Sequence, residues 1–206
     1  DPAGLSLGRR TATLTAQAGG YASAVATLIL DVRPPGGLNV LFYGNSFSQG
    51  HGGVPSWVSQ IAVEAGHAEP HDVARLVGGR DLAFHLNDPT QAAAITTALP
   101  PGEEWDYVVL QGLSLEATAA LGDPAAFRAN AVAIVANVRA HSPDARAVLF
   151  QTWARGSGHS IYTPGSGAFE NPYEMHLEVE ENYALAVADI NAAFGPATAS
   201  RAAVGE

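Results

Sequence analysis

From residue 38 onward the sequence predicts an α/β domain of three layers, α/β/α, around a parallel five-stranded sheet, preceded by a short β-rich segment at 1–37. Three observations carry that prediction. Runs of β-forming residues alternate with helical patterns, the signature of parallel strands joined by crossover helices. One such run, Val40-Leu41-Phe42-Tyr43, leads straight into Gly44-Asn45-Ser46 and then a helical pattern, so a strand, a tight turn and a helix start succeed one another. Glycine or polar residues also close two further strands, where a buried parallel strand would otherwise run apolar.

Taken in order, residues 1–37 hold two β-runs, Thr11–Ala16 and Ala22–Val32, around a Gly-Gly turn, and end in the linker Arg33-Pro34-Pro35-Gly36-Gly37. They read as a hairpin or the tail of a small β-module. Strand one is 39–43 and the first helix about 54–66. A second strand, about 71–77, ends at Gly78-Gly79, and a helix follows at about 89–98. Strand three is 106–111. The helix at 124–141 has Asp123 as its cap and Pro124 in the first turn, a strong start signal. Strand four is 146–151. The Gly/Ser-rich stretch 154–173 offers no regular element, and loops that long inside a compact domain are usually functional. A helix at 174–193 and a fifth strand at 199–204 complete the 38–206 domain.

Composition narrows the function. Of 206 residues, 47% are hydrophobic and 15% charged, enough to bury a sizeable core. The net charge is −10, and all basic residues are arginines. Without a basic patch, nucleic acid and anionic membrane are poor partners. The absence of lysine removes the P-loop and the Ser-Lys dyad, and the absence of cysteine removes disulfides, thiolate metal sites and a Cys nucleophile. No run reaches the ~18 apolar residues that span a bilayer. The compartment stays open; secretion is compatible with the β-module, although no cleavable signal is visible.

Three strand ends carry the candidate chemistry: Gly44-Asn45-Ser46, Gly78-Gly79-Arg80-Asp81 and Gln111-Gly112-Leu113-Ser114. Each alone reads equally well as a loop former. Their succession at the carboxyl edge of one sheet, where such folds bind ligands, favours a site. A serine there, among the free N–H groups of a helix start, is set to attack a carbonyl whose oxygen those groups then hold.

On these residues the sequence resembles the SGNH (GDSL-type) hydrolases over roughly 38–206, in a branch whose first block reads Gly-Asn-Ser-Phe. Val40 to Ser48 resembles the first block, Val77-Gly78-Gly79-Arg80-Asp81-Leu82 the second and Asp106 to Gln111 the third; Phe150-Gln151-Thr152-Trp153 is also similar to that branch. The resemblance implies a flavodoxin-like SGNH fold, Ser46 as nucleophile, and an oxyanion hole from the N–H groups of Ser46 and Gly79 (Gly78 being the alternative) with the Gln111 side-chain amide. Gln111 stands where the wider family has asparagine. Asn45, His85 and Trp153 are the candidate substrate contacts, and neither a metal nor a cofactor is implied.

The family's C-terminal Asp-x-x-His block is not found. Three possibilities follow: a chain continuing past Glu206, with the base and the last helix beyond it; an in-chain histidine as substitute; or a domain without catalysis. His159 and His176 flank the long loop on the site's side of the sheet and are the best substitutes, each weighed against a plain solvated histidine. No histidine or carboxylate spacing suggests a metal. The expected function is hydrolysis of a carboxylic ester, small or polysaccharide-borne and most simply a carbohydrate acyl or acetyl ester, through a Ser46 acyl-enzyme. The alternative is a non-catalytic glycan- or polymer-binding module on the same fold; a flavin or phosphate site would leave the second and third blocks unexplained.

Overall fold

The computed structural model describes residues 8–16, 24–32, 36–165 and 168–203. Two antiparallel strands, β1 (Gly8–Ala16) and β2 (Ala24–Val32), pair in register from Gly8 opposite Val32 to Ala16 opposite Ala24. The turn expected between them, most of the Pro/Gly linker and the last residue of the expected fifth strand lie outside the described residues.

The main sheet has five parallel strands in the order β4-β3-β5-β6-β7. They are β3 (Asn39–Gly44), β4 (His71–Leu76), β5 (Tyr107–Leu110), β6 (Arg146–Phe150) and β7 (Ala199–Ala202). β3 is buried along its whole length, as a central strand with both faces covered must be. The helices are α1 (Ser46–Gln49), α2 (Val54–Glu64), α3 (Leu82–Asn87), α4 (Pro89–Thr97), α5 (Pro124–His141) and α6 (Pro172–Phe194). The expected three-layer α/β/α fold around a parallel five-stranded sheet is the fold found.

Two helix starts differ from expectation, and both turn on a cap. Asp81 accepts the Phe84 N–H and opens α3, whose six residues are too few to show a helical period in sequence. Asn171 accepts the Glu174 N–H, and Pro172 occupies the first turn, so α6 begins two residues before the expected 174. Within the long stretch after β6, Ser160–Tyr162 forms a single 3₁₀ turn.

Topology loads the two sheet faces unequally. The chain steps from β3 to the edge strand β4 in one direction and makes every later crossover in the other. Right-handed crossovers therefore place α2 on one face and α3 to α6 on the opposite face. On the crowded face Leu41, Tyr43, Val108, Leu110, Ala147 and Leu149 join one core with Phe127, Ile134, Val179 and Ile190. On the other face α2 lies beside β4, and the alternate residues Tyr107, Val109, Val148 and Phe150 are only half-buried. Ile61 on α2 is 62% exposed and Val58 38%.

This asymmetry has a measurable consequence for stability. Leu149→Ala should cost about 2–5 kcal/mol, the usual range for emptying a buried leucine site. Val148→Ala, one residue away on the open face, should cost less than about 1 kcal/mol by the area it can lose. Urea denaturation of the two variants checks the difference; equal losses would mean that the faces are equally packed.

Candidate functional site

Three loops meet at Asn45. It follows β3 directly and caps α1, its Oδ1 accepting the Phe47 N–H at 3.2 Å. Its Nδ2 donates to the Arg80 carbonyl at 2.9 Å and to the Gly112 carbonyl at 3.2 Å, reaching the loops after β4 and β5. Gln111, the first residue beyond β5, completes the knot. Its Oε1 accepts the Asn45 N–H at 3.1 Å and the Ser48 hydroxyl at 2.8 Å, while its Nε2 donates to Asn45 Oδ1 and to the Gly112 carbonyl. Because a backbone N–H must meet an oxygen, these contacts fix which end of each amide is which. Both side chains are buried.

The chain needs glycine at 44 for this approach. A Cβ there would stand 3.0 Å from Ser48 Oγ and 3.1 Å from Gln111 Oε1. Gly79 is needed for another reason: Arg80 N–H bonds to the Val77 carbonyl across a tight turn in which Gly79 has φ +70°. Gln49 Nε2 donates to the Leu76 carbonyl and ties the same turn to α1.

Ser46, the first residue of α1, is exposed at the carboxyl end of the central strand. Among the described residues neither its N–H nor that of Gly79 has an acceptor, so both are free to meet a developing negative charge. Phe47 packs edge-on against Trp153 with ring centroids 4.7 Å apart, and the Arg155 guanidinium lies 5.6 Å from the Phe47 ring centre. Arg155 also donates to buried Ser114 at 2.7 Å. The loops after β4, β5 and β6 thus converge around the residues that follow β3.

Several expected roles change on this geometry. Gln111, expected to donate to the oxyanion, has both amide hydrogens committed internally. Asn45, expected at the substrate, is buried and serves as the tie between loops. His85 was expected to touch substrate; it is 1% exposed, and its Nε2 donates to the Gly44 carbonyl at 2.9 Å. Burial, only partly opposed by that bond and by Asp81, lowers its pKa, so the ring is neutral and structural. Trp153 packs on Phe47, the residue after Ser46.

Neither histidine proposed as a substitute base is hydrogen-bonded to Ser46 among the described residues. His159 is exposed and caps the 3₁₀ turn, its Nδ1 accepting the Ile161 N–H at 3.3 Å. His176 lies half-buried in the second turn of α6. The described residues also contain no cluster of metal-binding side chains, and no helix long and apolar enough to cross a membrane.

The sequence passed over Glu116 and Arg155. Glu116 Oε2 accepts the Leu113 N–H three residues back, at 2.9 Å, a capping-box spacing legible in principle. Arg155 had no such local signal.

Comparison with solved structures places this arrangement. A protein from Slackia heliotrinireducens assigned to the SGNH hydrolases superposes with a TM-score of 0.57 at 22% identity, over 75% of this chain and 76% of that one. The chain has the SGNH hydrolase fold. A carbohydrate esterase family 2 enzyme with a carbohydrate-binding domain, from Corynascus thermopiles (Myceliophthora fergusii), shares the fold at a TM-score of 0.54 and 16% identity, over 88% of this chain and 60% of that one. The psychrotrophic esterase EstA from Pseudoalteromonas sp., in a structure inhibited by monoethylphosphonate, does so at 0.51 and 12%, over 80% and 76%. No protein-family model and no curated protein sequence matches the chain.

If the amide knot holds the SGNH loops together, removing it should be costly. Asn45→Ala removes the acceptor of the Phe47 N–H and of one Gln111 amide hydrogen and the donor to the Arg80 carbonyl, while the Gly112 carbonyl keeps Gln111 Nε2. Each unmet buried group costs about 1–3 kcal/mol, so a loss of about 2–4 kcal/mol is expected after local relaxation. Chemical denaturation measures it, and a loss below about 1 kcal/mol would show that the amide is dispensable.

Proposed function

We propose that this chain carries the nucleophile of a serine carboxylic-ester hydrolase of the Gly-Asn-Ser-Phe branch, acting on a carbohydrate acyl or acetyl ester. The observation that carries the proposal is the placement of Ser46: exposed, first in its helix, at the end of the central strand, with two uncommitted N–H groups in the loops around it.

In this reaction Ser46 Oγ attacks the carbonyl carbon as a base removes its proton. The carbonyl electron pair moves onto oxygen, which the Ser46 and Gly79 N–H groups hold. Collapse expels the alcohol, protonated by the same base, and leaves the acyl group on Ser46. Water then repeats the sequence, releasing the acid and restoring the serine. Two backbone donors act here in place of the expected three, since the Gln111 amide is taken.

A serine hydroxyl needs its base within hydrogen-bond reach, so we place the base outside the described residues, on a segment following β7. The half-open sheet face supports such a segment: Val109, Val148 and Phe150 there are only half-buried and could be covered by one more helix. On this reading 1–37 is a β-rich appendage and the 38–206 domain is completed by that helix. Support for a sugar ester comes from the Phe47–Trp153 pair beside Ser46, a surface on which a sugar ring or acyl methyl can rest, and from the carbohydrate esterase among the structural neighbours.

Hydrolysis of p-nitrophenyl acetate tests the proposal, using the 206-residue chain, a chain extended past Glu206, and Ser46→Ala in each. The extended chain should turn over, and Ser46→Ala should lower its kcat by about 10³-fold or more. Turnover in the shorter chain that is lost with His159→Ala or His176→Ala would bring the base back to the long loop. Silence in both lengths, with retained binding to a polysaccharide, would favour the non-catalytic module.

A further inference from the structure

Glu116 lies beside the site and takes no part in the acyl transfer described above. Its Oε2 accepts the Leu113 N–H at 2.9 Å, and the Leu82 N–H lies 3.3 Å from Oε1 and 3.4 Å from Oε2. Leu113 belongs to the loop after β5. Leu82 opens α3, three residues beyond Gly79. The carboxylate also fills the space at Gly112, where a Cβ would come within 2.9 Å of Oε2. One side chain therefore bridges the two loops that flank the Ser46 turn.

The bridge carries a charge without a counter-charge. No cation pairs with Glu116 among the described residues. The groups around it are Asp81, which caps α3 and repels it; Tyr183 on α6, whose hydroxyl takes the Gly112 N–H; and Asp123 at the start of α5, whose N–H bonds the Glu116 carbonyl. Burial outweighs the two N–H bonds and, with Asp81, pushes the carboxyl up to about 7.

We propose that Glu116 is a positioning residue for the oxyanion site: its ionised carboxylate clasps the loops after β4 and β5 through the Leu82 and Leu113 N–H groups, and protonation loosens the clasp on the Leu82 side. An ionised carboxylate is acceptor-only and holds both N–H groups. Once a proton sits on Oε1, Oε2 keeps Leu113, the long bond to Leu82 weakens, and the turn bearing Gly79 gains freedom. The sign of the linkage is fixed. With the folded value above the ordinary 4.5, the group's contribution to stability is full below about 4.5 and is lost as pH rises through about 7. The clasped form is thus the less stable and the better ordered at Gly79.

The activity arm of the test rests on the ester-hydrolase reading; a second arm does not. Glu116→Gln keeps the shape and can accept from only one of the two N–H groups. Its kcat on p-nitrophenyl acetate in the extended chain should fall about tenfold or more at pH 8, with KM unchanged, and match wild type at pH 5.5, since small misplacements of catalytic groups cost up to about 10²-fold. Asp81→Asn, which keeps a capping side chain and removes the repelling charge, should move the rise of kcat to lower pH. Wild-type kcat for Glu116→Gln at pH 8, or the same fractional loss at every pH, would overturn the proposal. The second arm follows hydrogen exchange of the 77–84 and 111–116 segments, corrected for intrinsic rates. Protection at pH 8 should be lower in Glu116→Gln than in wild type. If no ester is hydrolysed by any form, the acyl-transfer reading fails and exchange alone decides; equal protection in the two proteins then overturns the clasp.

Discussion

The structure around Ser46 depends on one pair of primary amides. Asn45 and Gln111 sit at the ends of the neighbouring strands β3 and β5, and each bonds the other while Asn45 also reaches the loop after β4. Two buried amides left alone would be a liability, because each unmet donor or acceptor costs more than a made bond returns. Joined, and anchored to the Asn45, Phe47, Arg80 and Gly112 backbones, they become a rigid joint. The turn between β3 and α1 then has one conformation, and Ser46 is delivered outward because the residue before it is held inward. Gly44 allows this, since any side chain there would wedge the joint open.

The joint is built from neutral groups, and the titratable side chains next to it are driven towards neutrality. His85 beneath the turn is kept uncharged by burial. Tyr43, whose hydroxyl donates to the Gln91 carbonyl at 2.8 Å, is pushed up to about 12 by the same cause, with Arg75 only partly offsetting it. Glu116 is the exception that stays close enough to neutral pH to change state.

The strand ends were legible in the sequence because they break a physical rule: buried parallel strands run apolar, and Gly44-Asn45-Ser46 and Gln111-Gly112 do not. What a sequence cannot show is which way a polar side chain turns once the strand ends. Asn45 and Gln111 look alike as inward ties or outward donors until the Arg80 and Gly112 carbonyls are placed, and those come from 35 and 67 residues away. His85 was ambiguous for the same reason; a histidine on a short helix faces the core or the solvent according to packing alone. The α3 helix was missed because six residues give no period, although its Asp81 cap was in plain view. Glu116 followed a local spacing that carries weight only once the turn above it is known to bear Gly79.

Strand order also constrains what the rest of the site must look like. Ser46 leaves β3, and its immediate neighbours β4 and β5 supply Gly79 and the Gln111 tie. β6 is two strands from β3, roughly 10 Å at the usual 4.8 Å spacing, and its loop crosses that gap to bring Trp153 and Arg155 onto Phe47. β7 is three strands away, roughly 14 Å. The base proposed beyond β7 would therefore have to ride on about four or five extended residues laid over the ends of β6 and β5. Such a segment would cross the sheet edge between the long loop and the Ser46 turn before turning down over Val148 and Phe150. The half-covered sheet face and the serine without a base among the described residues are thus the two features that the segment proposed after β7 would serve together.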